Sequence, residues 1–139
     1  MALAFLARAM SDRLAPWVLR SCRRAVVVSV PMHPRKRRRR GLDQAAVLAE
    51  LSADRLGLRY QPRAMARLRE TLPQGDVRVT SRAHNVRDAF CVRCPSRLQG
   101  RVVVLIDDVR TSGSTALECA RVLRSAGVRR IALLTAAQA

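Results

Sequence analysis

Residues 102–115 read VVVLIDDVRTSGST and carry the strongest structural signal of the chain. The first five residues are all apolar, which predicts a strand that is buried on both faces. Asp107 and Asp108 follow at the carboxyl end of this strand, and a loop of Thr, Ser and Gly then opens a helix. Periodic apolar residues between Ala116 and Ala126 predict that helix, and Gly127 ends it.

The same order of strand and helix continues on either side of this stretch. Ala25–Val30 predicts a second buried strand that Pro31 ends, and Leu42–Leu56 has the apolar periodicity of a helix. Arg130–Thr135 predicts a final strand. Because strands and helices alternate, we predict an α/β fold: a three-layer domain with a central, mostly parallel sheet and right-handed crossovers.

The remaining segments are less regular. Residues 1–21 predict an amphipathic helix that packs against the core. A short ordered element is expected around Ala64–Leu68, and residues 69–85 are expected to form a long, flexible excursion. Val86–Val92 predicts another strand, and Pro95–Gly100 predicts a turn.

Length and composition exclude several classes of protein. The 139 residues suit a single domain, and 49% of them are hydrophobic, enough for a real core. Only four residues are aromatic, which argues against RNA-binding modules that stack bases. The chain has one lysine, Lys36, and it lies in no GxxxxGK motif, so a Walker-type NTPase is excluded. The formal net charge of +17 favours anionic partners.

Four cysteines and the lack of a cleavable signal or a membrane-spanning segment predict a protein of the reducing cytoplasm, not attached to a membrane. Cys91 and Cys94 form a single CxxC motif, and a structural zinc ion needs four ligands. We therefore interpret Cys91 as a residue on the buried face of its strand and Cys94 as lying at the end of that strand.

The candidate chemistry lies where the central strand ends, because ligands of open parallel sheets bind outside the carboxyl ends of the strands. Residues 111–115 offer backbone N–H groups, hydroxyls and the positive end of a helix dipole, which predict a site for a phosphate dianion. Asp107 and Asp108 can accept hydrogen bonds from a vicinal diol or hold Mg²⁺ through water. The implied ligand is a ribose phosphate. The alternative is that the acidic pair only caps the helix.

The stretch 102–115 resembles the signature of type I phosphoribosyltransferases. Further segments narrow the resemblance to the ComF family of competence-associated proteins. These segments are VPMHP at 30–34, RGLDQA at 40–45, Gln74, and RAHNVRDAF at 82–90. Many members of that family begin with a cysteine-rich, zinc-ribbon-like segment, which we expect this chain to lack unless its true start lies upstream. Leu42 and Asp43 stand where the family usually has Phe and Asn.

The resemblance implies a role for each part of the site. Asp107 and Asp108 would contact the ribose hydroxyls of 5-phosphoribosyl 1-pyrophosphate and, through water, the cofactor Mg²⁺. The 5′-phosphate loop would be Thr111, Ser112, Gly113, Ser114 and Thr115. The pyrophosphate loop would be Pro31, Met32, His33, Pro34 and Arg35. Residues 69–85 would be a mobile flap, with Arg82 as its catalytic cation.

Two functions remain open. The first is a phosphoribosyltransferase-like protein that binds phosphoribosyl pyrophosphate or a nucleotide with Mg²⁺ and transfers the phosphoribosyl group to an unidentified acceptor. The second is a non-catalytic module of DNA uptake or recombination, with Arg35–Arg40 as its DNA contact. The run lies in a basic loop between the strand at Ala25–Val30 and the helix at Leu42–Leu56, and it is equally well interpreted as the solvated start of that helix beside a polyphosphate pocket. The oligomeric state stays open, with a dimer as one option.

Overall fold

The computed structural model describes residues 1–21, 24–70, 86–110 and 112–138. The helices in these ranges are α1 (Ala2–Ser21), α2 (Pro34–Arg40), α3 (Gln44–Leu56), α4 (Pro95–Leu98) and α5 (Ser114–Ser125). The strands are β1 (Val26–Ser29), β2 (Arg59–Tyr60), β3 (Met65–Arg67), β4 (Phe90–Val92), β5 (Val102–Arg110) and β6 (Arg130–Gln138).

Four strands form a parallel sheet in the order β2-β1-β5-β6. Ile106 in β5 pairs with Ser29, the last residue of β1, and with Leu134 in β6, and β5 and β6 then continue side by side to Arg110 and Gln138. Parallel neighbours need crossover connections, which helices provide here. The predicted α/β fold with a central parallel sheet is confirmed.

The two faces of the sheet are both buried, as the unbroken apolar runs predict. On one face Val27, Val104 and Ile106 pack against α1 and α3. On the other face Val28 and Leu105 pack against α5 and the segments around β3 and β4. Successive residues of one strand thus pack into the layers on opposite faces of the sheet, which gives the three-layer arrangement.

The amino-terminal helix α1 packs on the sheet through residues three or four apart. The buried residues of this stripe are Ala7, Met10, Leu14 and Val18. Pro16 lies inside the helix, and Ser11 donates its hydroxyl to the carbonyl oxygen of Ala7 at 2.7 Å. The predicted amphipathic, packed helix is confirmed. In the described ranges, no helix combines the length and the apolar character needed to cross a lipid bilayer.

The basic run is a helix of its own rather than a loop. His33 caps α2 by accepting the Arg35 N–H at Nδ1 (3.3 Å), and Pro34 occupies the first turn. Gly41 ends α2 with a left-handed φ of 72° and donates its N–H to the Arg37 carbonyl at 2.8 Å. Caps at both ends therefore make a separate seven-residue helix from a segment that the sequence placed in a loop.

The strand predicted over Val86–Val92 is shorter than expected. A turn occupies its first half: Asp88 has a φ of 54°, and the Ala89 N–H donates to the Val86 carbonyl at 3.1 Å. The remaining half, β4, pairs antiparallel with β3 in a separate two-stranded sheet. Residues after Cys94 form one helical turn, α4, where a turn was predicted. Most of the predicted excursion over 69–85 lies outside the described residues.

Candidate functional site

The acidic pair lies at the carboxyl end of β5, the strand between β1 and β6. Asp107 is only 8% exposed, and Asp108 is half-buried. The Asp108 N–H donates to Oδ1 of Asp107 at 2.9 Å, and the Val109 N–H donates to Oδ1 of Asp108 at 2.8 Å. Each carboxylate thus accepts one backbone N–H from the residue that follows it on the same strand.

Burial and a neighbouring negative charge both act on the pKa of Asp107. Burial raises the pKa of Asp107 to about 7, and the hydrogen bond and negative charge of Asp108 act in the same direction. The guanidinium of Arg67 opposes this effect. Near neutral pH Asp107 therefore holds a proton readily, and a bound cation would favour its ionised form.

The acidic pair does not cap the following helix, so the capping alternative is wrong. The residue at the cap position of α5 is Gly113, and the amino end of that helix receives no hydrogen bond from a capping side chain. Both aspartates lie inside β5.

The loop that follows β5 leads into the amino end of α5. Gly113 has a φ of 82°, a left-handed conformation that an L-residue adopts only at a cost. The hydroxyls of Ser112 and Ser114 lie 2.9 Å apart, and the Ser114 N–H donates to Ser112 Oγ at 3.4 Å. Thr115 is half-buried in the first helical turn. This amino end has no acidic residue in its first turn, so its N–H groups and dipole favour an anion.

The loop after β1 starts beside the acidic pair. The Val30 N–H donates to the Ile106 carbonyl at 2.8 Å, which aligns the end of β1 with the residue before Asp107. Pro31, Met32 and His33 are half-buried there, whereas Pro34 and Arg35 are exposed and belong to α2. The predicted pyrophosphate loop is thus part loop and part helix.

Two cations that the sequence did not single out lie near the carboxylates. Lys36 on α2 is half-buried; its burial lowers its pKa, as do Arg40 and Arg67, while the charges of Asp108 and Glu70 raise it. Burial also lowers the pKa of Arg67, whose guanidinium lies 5.2 Å from the centre of the Phe90 ring. Lys36 could have been noticed as the one lysine in an arginine run. No pattern in the sequence marks Arg67.

A separate cavity of about 260 Å³ opens between α5 and β6. Its lining is mainly apolar, with Leu105, Ile131 and Leu133 among its walls, and it meets the phosphate loop only at Ser112 and Gly113. The acidic pair does not line it. The polar candidate site is therefore the open edge of the sheet, not this cavity.

The chain is similar in sequence to two kinds of curated protein. No family model matches the chain. It is 36% identical to the DNA utilization protein YhgH of Escherichia coli (strain K12) over 97 residues, 70% of this chain and 42% of that protein. It is 30% identical to competence protein F of Haemophilus influenzae over 106 residues, 76% of this chain and 46% of that protein. The chain spans less than half the length of these curated relatives.

Solved structures identify the fold. Glutamine phosphoribosylpyrophosphate amidotransferase from B. subtilis matches with a TM-score of 0.62 and 18% identity, over 97% of this chain and 26% of that one. A hypoxanthine phosphoribosyltransferase from Staphylococcus aureus matches with a TM-score of 0.61 and 14% identity, over 96% of this chain and 61% of that one. The chain is a ComF homologue with a type I phosphoribosyltransferase fold. At these identities the structural likeness shows the fold alone.

Within this ComF homologue the structure brings together most of the predicted site. Asp107, Asp108 and Ser112–Thr115 lie in one continuous segment, and the loop after β1 begins beside it. Thr111 and Arg82 lie outside the described residues, as do Gln74 and His84, so their roles stay predictions. Cys91 and Cys94 are half-buried free thiols, one in β4 and the other at the start of α4.

Proposed function

We propose that this ComF homologue binds a phosphoribosyl ligand, phosphoribosyl pyrophosphate or a nucleotide, with Mg²⁺ in the cytoplasm. The observation that carries the proposal is the order of features at the end of β5. A buried acidic pair is followed within six residues by a left-handed glycine and by the open amino end of α5. Carboxylates suit ribose hydroxyls, and a helix amino end suits a phosphate.

Different residues of the site would bind different parts of the ligand. The hydroxyls of Ser112, Ser114 and Thr115, with the N–H groups of the first turn of α5, would hold the 5′-phosphate, and Thr111 would complete this loop. Asp107 and Asp108 would accept hydrogen bonds from the two ribose hydroxyls. The pyrophosphate would then lie toward the loop after β1, where Lys36 supplies a half-buried positive charge.

The donor set of the acidic pair fits Mg²⁺, because hard carboxylate oxygens are the ligands that this ion prefers. Asp107 and Asp108 would hold the ion through water, and a bound ion would neutralise charge on the pyrophosphate. Binding would also keep Asp107 ionised, against the burial that raises its pKa to about 7.

The chemistry that such a site supports is displacement at the anomeric carbon. The bond from that carbon to the pyrophosphate oxygen breaks, and a bond to the acceptor forms as the acceptor loses a proton. Positive charge develops on the ribose in between, and the adjacent carboxylates would stabilise it. The proposed flap of residues 69–85, with Arg82, would exclude water. The acceptor stays unidentified.

The proposal is tested by thermal unfolding with phosphoribosyl pyrophosphate and Mg²⁺. Ligand at about 100 times its Kd should raise Tm by roughly 5 °C or more. Gly113→Ala should abolish this rise, because the methyl group and the strained backbone would disturb the phosphate loop. Its matched control is Gly57→Ala, which carries the same kind of strain at a φ of 64° after α3. No rise with the unmodified protein at millimolar ligand would contradict the proposal.

A second candidate function is DNA handling through the basic helix α2. It is favoured by the names of the relatives, DNA utilization protein and competence protein F, and by the exposure of Arg35 and Arg37–Arg40. Replacing Arg37, Arg38, Arg39 and Arg40 with Gln should then weaken DNA binding for every sequence and flatten its salt dependence. If α2 serves the small ligand instead, the same change should weaken phosphoribosyl pyrophosphate more than ribose 5-phosphate.

A further inference from the structure

The amino edge of the parallel sheet, opposite the candidate site, carries an arginine at the start of each strand. Arg59 and Arg130 are the first residues of β2 and β6, and Arg101 directly precedes β5. Arg24 lies two residues before β1. Since neighbouring strands are about 4.8 Å apart, the four positions form a row roughly 14 Å long across the sheet.

Part of this row lines a cleft of about 540 Å³. We call it the amino-edge cleft, and its charged residues are Arg24, Arg59, Arg97 and Arg101. Arg97 comes from α4, so the positive charges reach the cleft from a helix as well as from the starts of the strands. Tyr60 and Gln61 complete its polar wall, and its lining contains no carboxylate.

The four arginines of the cleft are exposed and make no ion pair with any carboxylate in the described ranges. Exposed arginines outside the cleft do form such pairs, as Arg55 does with Asp12 (2.9 Å) and Arg121 with Glu118 (2.7 Å). Because the chain has 27 basic and only 10 acidic residues, unpaired arginines are common in it, and what distinguishes these four is that they line one concave surface without a carboxylate.

Helix dipoles account for a part of this pattern. The carboxyl end of α3 lies at the cleft, and such ends attract a cation by about 0.3–1 kcal/mol each. That attraction explains a single cation at the end of a helix, but it does not explain several cations around one cleft. Several guanidinium groups in a concave surface match the spaced, charged oxygens of a phosphodiester backbone.

We propose that the amino-edge cleft binds the phosphodiester backbone of a nucleic-acid strand. The site is separate from the proposed phosphoribosyl site, because Arg101 and Asp107 are six residues apart on one extended strand, roughly 20 Å. Both ligands can therefore be bound at once. This inference does not depend on the proposed function, nor on the basic helix α2.

The test is fluorescence anisotropy with a labelled single-stranded oligonucleotide of about 20 nucleotides, titrated at several salt concentrations. Replacing Arg24, Arg59, Arg97 and Arg101 together with Gln should lower affinity at least about tenfold and reduce the salt slope by up to about 3, at roughly 0.7 per lost phosphate contact. Replacing the same four residues with Lys keeps the charges and should largely preserve the slope.

The matched control replaces Arg8, Arg13, Arg87 and Arg124 with Gln. These four arginines are exposed and lie outside both the cleft and helix α2, and the change removes the same four charges from the net +17. Its salt slope should change by less than about 1. Equal losses in both variants would mean that binding follows net charge alone, and unchanged binding in the cleft variant would assign the contact elsewhere. Either result overturns the proposal.

Competition between the two ligands tests whether their sites are separate, and smaller variants cover the case in which the fourfold variant does not fold. Millimolar phosphoribosyl pyrophosphate with Mg²⁺ should leave the oligonucleotide bound to the unmodified protein, whereas displacement would contradict two separate sites. If the cleft variant lost binding to anionic lipid vesicles but kept the oligonucleotide, the assignment to nucleic acid would be wrong. Should the fourfold Gln variant fail to fold, the pairs Arg24 with Arg59 and Arg97 with Arg101 are replaced separately, and each should reduce the slope by about half as much.

Discussion

Asp107 is buried beside a second carboxylate, and both features destabilise its ionised form in the folded protein. The ordinary pKa of the carboxyl group is 3.8, and in the folded chain it rises to about 7. Between these two pH values the folded state binds more protons than the unfolded state. Stability therefore falls as the pH rises from about 4 to about 7 and stays level above that range.

Asp107→Asn should remove this pH dependence, since the amide keeps the shape without the charge. At pH 8 the variant should be more stable than the unmodified protein, by at most about 4 kcal/mol. At pH 4 the two should be nearly equal. Urea unfolding at both pH values measures the difference, and Asp54→Asn at an exposed position of α3 is the control. A variant that is less stable at pH 8 would show that the carboxylate stabilises the fold.

The sequence predicts the site residues that belong to a local sequence motif. Asp107, Asp108 and Gly113 belong to a strand-loop-helix motif, and the structure shows the strand and the helix that this motif predicts, while the roles of the three residues stay predictions. Arg67 was not predicted, because it reaches the carboxylates from β3, a strand of three residues in the second sheet. Such proximity depends on tertiary packing, for which a single sequence carries no periodic signal.

At the scale of elements, α5 holds the turn before β4 through one buried carboxylate. Glu118 is 8% exposed, accepts the Asp88 N–H at 2.9 Å, and pairs with Arg121. The hydrogen bond from Arg121 is the main reason that the pKa of Glu118 is lowered. Stability from an acid with a lowered pKa is present above its ordinary value of 4.5 and is lost as the pH falls through the folded value.

Glu118→Gln should therefore destabilise the protein by about 1–2 kcal/mol at pH 7, because a charge-assisted hydrogen bond is weakened at a buried position. The difference should shrink below about pH 4, where the native glutamate is protonated as well. Glu50→Gln, on the exposed side of α3, should change stability by less than about 0.5 kcal/mol. Equal effects of the two substitutions in denaturant unfolding would contradict the role of Glu118.

Helix α2 presents different residues to the site and to solvent. Lys36 is half-buried toward the carboxylates, whereas Arg38, two positions along and on the opposite side of the helix, is exposed. Lys36→Gln should weaken phosphoribosyl pyrophosphate about tenfold while changing ribose 5-phosphate little, because only the former carries the pyrophosphate. Arg38→Gln should change neither. Competition binding measures both ligands, and an equal loss for the two would place Lys36 elsewhere.

The elements also show where sequence patterns stop being informative. The apolar runs of β1 and β5 predicted their burial, because a strand covered on both faces needs no polar residue. The six basic residues before Gly41 suggested a solvated loop, yet the caps at His33 and Gly41 outweigh the repulsion along α2. β4 begins four residues later than its pattern suggested, because Glu118, distant in sequence, holds Asp88 in a turn.

Over the whole molecule, the two edges of the sheet carry side chains of opposite charge. The carboxyl edge joins two aspartates to the open end of α5, and the amino edge gathers arginines around a cleft that carboxylates do not line. A formal net charge of +17 supports anion binding at either edge, so charge alone does not decide which ligand binds where. Local geometry makes that distinction.

The most direct test of the phosphoribosyl site is isothermal titration calorimetry of phosphoribosyl pyrophosphate with Mg²⁺ at pH 8, where Asp107 is ionised. We predict one ligand per chain for the unmodified protein. The double variant Asp107→Asn with Asp108→Asn should bind at least about tenfold more weakly, since hydrogen bonds to charged groups contribute about 1.5–3 kcal/mol. No binding heat with the unmodified protein, or equal affinity in the double variant, would contradict the assignment of the site to this acidic pair.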